Sequence, residues 1–389
     1  MAGLLRKVSI TGLLWFISSV VMAEYYIGMT AGFTGPQGQD NLAYRYGVEA
    51  YFQQINRSGG IKGEEIELEV LDDEFSPDLA ERNLMRFVTR KGVLAVLGGD
   101  MATASSLALA AQREKVLFLG SLSGHPTLYG NVRSVLNIRP SIAHEAEFLC
   151  RQMRTQGIRQ ATVVSPDESA EHIAELCGEH RVELTTVRYS ASTLNFQSTI
   201  AAIQKLGHEH VILVGSSVGL NRLLDQAPAT TLGFHTFWLP SLVDLTVVSN
   251  NIATPVNINQ ISFLPKNLEQ TKTYQEYQRS LQQLNAYLVP TQRGFEGYLA
   301  GKILAIGLQD VVKPFEIENP SDFMKLPLNV ARRLTGWVQT GKDFELQSKL
   351  INALSVMRSF DLGIGYYPGY QENENSLNWN LSILSGSPR

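Results

Sequence analysis

Four groupings in this chain of 389 residues carry side chains able to do chemistry. Asp72 and Asp73 are adjacent carboxylates, the raw material of general acid–base work. They end an apolar run and precede Ser76-Pro77, an arrangement that favours turn and helix-cap duties. His208-Glu209-His210 has the donor types of a metal site, but it lies in a polar connection entering an apolar run, where solvated side chains are expected. Gly215-Ser216-Ser217-x-Gly219 is too short a glycine pattern for a phosphate cradle, and no nucleophile elbow accompanies it. Cys150 and Cys177 complete the set. These residues predict no catalytic group, no metal and no cofactor.

The elements that must position such residues follow from periodicity. Apolar runs at Tyr25–Ala31, Glu65–Leu71, Val93–Gly98 and Val116–Leu119 read as buried strands. Helical spacing separates them at Tyr44–Ile55, Pro77–Lys91 and Thr103–Arg113. A second series begins after Arg139-Pro140. Its predicted helices are 143–153, 170–177, 196–206 and 220–226, and its predicted strands are 161–164, 183–189, 211–214 and 236–239. Strict alternation predicts an α/β protein with parallel sheets covered on both faces. Two such series predict two lobes, with ligands beyond the carboxyl ends of the strands. Further helices are expected at Leu268–Leu288, Gly297–Val312 and Phe344–Met357, with closing strands within Tyr366–Leu384 around a polar turn at Gln371–Asn375. The proline-interrupted stretch Lys313–Lys342 reads as a surface excursion, with a lid or an oligomer contact as the other options.

The cysteines fall on predicted helices flanking the strand at 161–164. A disulfide between them is open to the chain in an oxidising compartment, and two buried free thiols are the default expectation. That compartment is indicated by the amino terminus. Arg6 and Lys7 precede an apolar run, Val8–Val20, shorter than the ~20 residues of a membrane span, and Val21-Met22-Ala23 suits a signal peptidase. Cleavage after Ala23 is expected, with no cysteine next to it for a lipid anchor. Losing the first 23 of 389 residues takes Arg6 and Lys7 with it and moves the net charge from -4 to -6. A mildly acidic surface argues against nucleic acid or an anionic membrane as partner.

Several motifs occur in a characteristic order: Thr34-Gly35-Pro36, Gly47 and Ala50, Ile55-Asn56-x-x-Gly59-Gly60-Ile61-x-Gly63, Asp72-Asp73 with Pro77, Gly98-Gly99, and Phe360-Asp361-Leu362-Gly363. Together they make the chain resemble the periplasmic branched-chain amino-acid-binding proteins, the type I solute-binding family, over nearly its whole mature length. The resemblance implies two doubly wound lobes joined by a three-segment hinge. Lobe one would comprise residues 24–139 and 266–365, and lobe two residues 140–265 and 366–389. It also implies a periplasmic monomer that captures a small molecule, amino acid-like or an amide or organic acid, and delivers it to an inner-membrane ABC permease. The alternative partner is a membrane-bound kinase or cyclase, to which a ligand sensor would present its closed form.

The same resemblance locates a binding site. Lobe one would contribute Asp100, Ala102 and Thr103 from the loop after the third strand, and Ser121 and Ser123 from the loop after the fourth. Ala102 stands where the family has a carboxylate-binding serine, and Asp100 beside it is expected to repel a carboxylate. In lobe two, Ser217 and Ser241 replace the family's aromatic wall and its acid. That loss leaves an α-ammonium group without an evident counter-charge and argues against a zwitterionic amino acid. Arg293, Phe295 and Glu296 lie near the expected cleft and could supply a charge or an aromatic wall.

Overall fold

The computed structural model describes residues 24–35, 38–130, 132–166, 169–190, 195–227, 229–245, 256–312, 339–370 and 374–386. The leader, Pro36, most of the 313–342 stretch and part of the polar turn at 371–375 lie outside the described residues. The first sheet is fully parallel, in the order β2 (Glu65–Asp72), β1 (Glu24–Ala31), β3 (Ala95–Gly98), β4 (Leu117–Ser121) and β5 (Val135–Leu136). Helices α1 (Gly38–Arg57), α2 (Pro77–Lys91) and α3 (Ala104–Glu114) connect its strands.

The second sheet winds the same way: β7 (Glu183–Arg188), β6 (Gln160–Ser165), β8 (His210–Leu213), β9 (Thr236–Leu239) and β10 (Asn257–Ser262). Its connecting helices are α5 (Ser169–Glu179), α6 (Gln197–Leu206), α7 (Ser217–Gln226) and the short α8 (Ala229–Leu232), and α4 (Ile142–Thr155) leads into it. A last strand, β11 (Ser382–Gly386), adds to β10 antiparallel. Helices α9 (Lys272–Leu284), α10 (Gln292–Val311) and α11 (Gln339–Val356) return to the first lobe, whose core holds Leu281, Phe295, Tyr298 and Leu350.

Three passages join the lobes: after β5, after β10 and before β11. They converge on one another. Asn137 bridges to Ser376, the Trp379 indole N–H donates to the Ile138 carbonyl, and the Phe263 and Trp379 rings stand 5.0 Å apart. Tyr370, Leu377 and Trp379 thereby pack in the core of the first lobe, and only the final strand belongs to the second sheet. Among the described residues, the closing strands expected within 366–384 reduce to β11 and two isolated bridges, Tyr370 with Leu377 and Ser376 with Asn137.

Glycines set the approach of α1 to α10. A Cβ on Gly47 would lie 1.8 Å from the Gly294 carbonyl oxygen, and one on Gly297 would lie 2.0 Å from that of Tyr44. This close packing brings the amino ends of both helices to the same face, beside the second lobe. Gly59 and Gly60, at φ of 97° and 72°, end α1, and the Gly60 N–H reaches the Ile55 carbonyl.

Some sequence expectations give way. α1 begins at Gly38, six residues before its apolar periodicity, because its first turn is buried through polar contacts, Asn41 with Gly32 and Asp100 and Asp40 with Ser217 of the other lobe, rather than following a simple amphipathic stripe. The helix expected over 268–288 is a short 3-10 turn at Leu268–Gln270 followed by α9, because Thr271 caps a fresh helix through the Tyr274 N–H. Cys150 and Cys177 are bonded to each other rather than free, their Cα atoms 5.0 Å apart where α4 and α5 lie side by side.

Candidate functional site

At the carboxyl ends of the first sheet, the loops after β1, β2 and β3 are laced together by carboxylates. Asp72 accepts from the Phe33 and Glu74 N–H groups, both at 2.9 Å. These donors outweigh the effect of burial and hold its carboxyl below the usual range. Asp73 accepts from Thr30 and Phe75, while burial, aided by the Asp100 charge, pushes it up to about 7. Asp100 uses both oxygens on its own surroundings: Oδ2 accepts from Gly32 N–H and Asn41, each at 3.1 Å, and Oδ1 from Ala102 N–H at 3.0 Å. Asp100 thereby braces the loop that precedes α3.

The neighbouring expected donors share that structural use. Thr103 is fully buried and exchanges hydrogen bonds with Asp100, and Ala102 is exposed. The Ser121 hydroxyl donates to the Gly99 carbonyl at 3.0 Å and lies 3.1 Å from the Ser123 hydroxyl. Ser123 in turn accepts from the His125 N–H. Both serines are buried and engaged in tying the β3 and β4 loops together. Phe295 is also displaced from its expected role, packed among Tyr274, Tyr277 and Tyr298 in the first core.

Ser217, Ser241 and Arg293 do come together, in the gap between the lobes. Ser217 opens α7, with Ser216 as its N-cap, and donates to Asp40 Oδ2 from its hydroxyl at 3.0 Å and its N–H at 3.2 Å. The same hydroxyl accepts from Asp244 N–H at 2.9 Å, and Asp244 Oδ2 accepts from Arg293 N–H at 2.7 Å. The Arg293 guanidinium donates to Glu296 at 2.8 Å and to the Leu242 carbonyl at 3.2 Å. Arg139, 1% exposed, lies 3.4 Å from Glu296, donates to the Leu122 carbonyl and reaches Ser241 at 2.9 Å. Glu145 takes both the N–H and the hydroxyl of Ser241.

Four carboxylates and two guanidiniums are thus buried along one path through both lobes. Burial pushes the Asp40 and Glu145 carboxyls up, against the pull of Arg293 and Ser217 on the first and of Arg139 and Ser241 on the second. Burial lowers Arg139. Arg293 stays raised despite burial because Glu296 and Asp40 face it. The cavity beside this path has a polar side that includes Ser241, Asp244, Arg293 and Glu296 and an apolar side of Ile261, Phe263 and Leu264, and it has room for about one water molecule.

Carboxylates nonetheless stand beside both serines of lobe two: Glu145 accepts from Ser241, and Asp40 accepts from Ser217. Asp40, Arg139, Glu145 and Asp244 escaped the sequence reading. Asp40 had a usable signal, an acid in the first turn of a helix next to the Thr34-Gly35-Pro36 motif. Arg139 marks the crossing to the second series, but nothing local to Glu145 or Asp244 distinguishes them from surface acids. Elsewhere, His208 and His210 are half-buried and engage Thr162 and Trp238, and no three metal-capable side chains converge among the described residues.

Comparison with known proteins agrees with this architecture. A family model described as periplasmic binding protein matches residues 24–319. The chain belongs to the periplasmic binding protein family. Among solved structures, this periplasmic binding protein is similar to a possible leucine/isoleucine/valine-binding protein from Rhodopirellula baltica SH 1. The identity is 20%, the match covers 95% of this chain and 98% of that one, and the TM-score is 0.77. It is also similar to an ABC-transporter solute-binding protein from R. palustris in complex with benzoate, at 14% identity, 93% and 92% coverage and a TM-score of 0.70. A branched-chain amino acid transporter substrate-binding protein from Streptococcus pneumoniae, in complex with isoleucine, matches at 12% identity, 93% and 95% coverage and a TM-score of 0.72. At these identities the likeness is one of fold. A search of curated proteins by sequence finds no match.

Proposed function

We propose that this chain is an exported solute-binding protein that holds a small polar molecule between its two lobes and delivers it to an ABC importer. The supporting observation is the buried charged path from Asp40 to Glu145, which runs through both lobes at the carboxyl ends of their parallel sheets. Open sheets of this winding place ligands there. Ser241, Asp244, Arg293 and Glu296 would meet the solute, and the lobes would divide near residues 139 and 265. The neighbours holding benzoate and isoleucine both bind carboxylates. Arg293 and the amino ends of α7 and α10 suit that group, so a small organic acid or amino acid is the favoured cargo. The leader would be removed after Ala23, which gives a periplasmic protein.

Native mass spectrometry followed by a thermal-shift screen of amino acids, amides and aromatic acids tests this reading. A saturable stabilisation by one class, weakened by Arg293→Ala, is expected. Stabilisation by no compound, with no co-purifying small molecule, would overturn it.

A further inference from the structure

The contacts between the lobes have a reciprocal form. Asp40 sits in the first turn of α1 in lobe one, and its carboxylate receives the first N–H of α7 in lobe two. Asp244 follows β9 in lobe two, and its carboxylate receives the Arg293 N–H in the first turn of α10 in lobe one. Each lobe therefore offers a carboxylate to a helix amino end of the other, where unpaired N–H groups and the helix dipole favour negative charge. Ser217 joins the two halves, since its hydroxyl donates to Asp40 and accepts from the Asp244 N–H. Asp40, Ser217, Asp244 and Arg293 are all buried.

We propose that Asp40 and Asp244 form a latch that holds the two lobes together in the absence of solute, and that an incoming carboxylate must displace it. This rests on the reading of the gap as the solute site. The helix ends that suit a solute carboxylate are already served by the protein's own, so solute and latch compete for the same N–H groups. The latch is also releasable. Asp40 Oδ1 is buried without a hydrogen-bond partner among the described residues, and Asp244 and Asp40 repel one another. A contact that left no group short of partners would hold the lobes more firmly. Closure by the protein's own groups lowers apparent affinity, because the state open to solute is only part of the population.

Small-angle scattering of the purified, solute-free protein provides the test. The parent should scatter as the compact two-lobe arrangement, while Asp40→Ala and Ser217→Ala should show a larger radius of gyration at unchanged helix content. Asp40→Ala should also bind the solute returned by the thermal-shift screen about tenfold more tightly. A parent as extended as its variants, or variants as compact as the parent, would overturn the latch. Should Asp40→Ala fail to fold, Asp40→Asn, which keeps the side-chain shape, is read by the same measurement. The two ideas fail separately. Expansion without any bound solute leaves the latch and removes the solute reading, and solute binding with no change in scattering between parent and variants does the reverse.

Discussion

Glu145 on α4 holds Ser241 by both of its donors, accepting from the backbone N–H at 2.7 Å and from the hydroxyl. Ser241 passes the contact on, because its hydroxyl accepts from Arg139 at 2.9 Å. One serine thus joins a carboxylate and a guanidinium that are otherwise buried apart. Removing the acid takes away one of the two carboxylates that favour the Arg139 charge, Glu296 being the other among the described residues, and unpaired buried charge is costly. Glu145→Ala is expected to cost about 3 kcal/mol in urea unfolding and Ser241→Ala about 1–2 kcal/mol. A loss below 0.5 kcal/mol, roughly a surface effect, in both variants would show that the path is not a stabilising unit.

The Cys150–Cys177 bridge closes a loop with a sequence separation of 27 between α4 and α5. Loop closure of this size is worth about 3.5 kcal/mol in the chain-entropy account. The Cys150→Ser, Cys177→Ser double variant should unfold at correspondingly lower urea, and the parent under reducing agent should match it. Equal midpoints with and without reductant would contradict the assignment.

Asp73 gives a pH signature. Its folded-state carboxyl stands at about 7, through burial and then Asp100, against 3.8 in the unfolded chain. A raised carboxyl is tolerated best when protonated, so its contribution is fully present below about pH 3.8 and is lost as pH rises towards 7. Asp73→Asn removes this dependence. Its melting temperature relative to the parent should climb between pH 4 and pH 8, by an amount equivalent to about 1 kcal/mol or more. A difference that stays flat across that range would count against the assignment.

The contact of α1 with α10 depends on missing side chains. Gly47→Ala places a Cβ 1.8 Å from a backbone oxygen, and backbone cannot yield as a flexible side chain can. Despite the helix propensity gained, about 1 kcal/mol, we expect a net loss of about 2 kcal/mol or more in chemical unfolding. Because Arg293, proposed to meet the solute, lies in the first turn of α10, the variant should also weaken solute binding. A variant as stable as the parent would show that the helices can part freely.

The fold was far more legible than the site. Alternating apolar runs and helical spacing located nearly every strand and helix of both sheets, because burial on both faces leaves a continuous pattern in sequence. Residues 135–136 and 257–262 were missed. Val135–Leu136 is too short for a period, and Asn257, Asn259 and Gln260 interrupt the apolar run of β10. The site was harder to read because it consists of pairs far apart in the chain. Asp40 and Ser217 are 177 positions apart, and the meaning of each depends on the other. Loop alignment singles out Ser217 and Ser241, which the structure places in the gap between the lobes, and Ser121, Ser123 and Asp100, whose hydrogen bonds tie their own loops together.

The placement of β11 bears on how the molecule is made. Until Ser382–Gly386 pairs with β10, β10 is itself an edge of the second sheet. The contacts that finish that sheet also join residues more than a hundred positions apart, such as Asn259 and Ser385. The first sheet, whose five strands lie between Glu24 and Leu136, has no such wait. Synthesis therefore leaves β10 as a bare edge of the second sheet until the carboxyl-terminal segment is made, and the first lobe, whose sheet is complete early, waits for the same stretch of chain because Phe295, Leu350 and Trp379 fill its core.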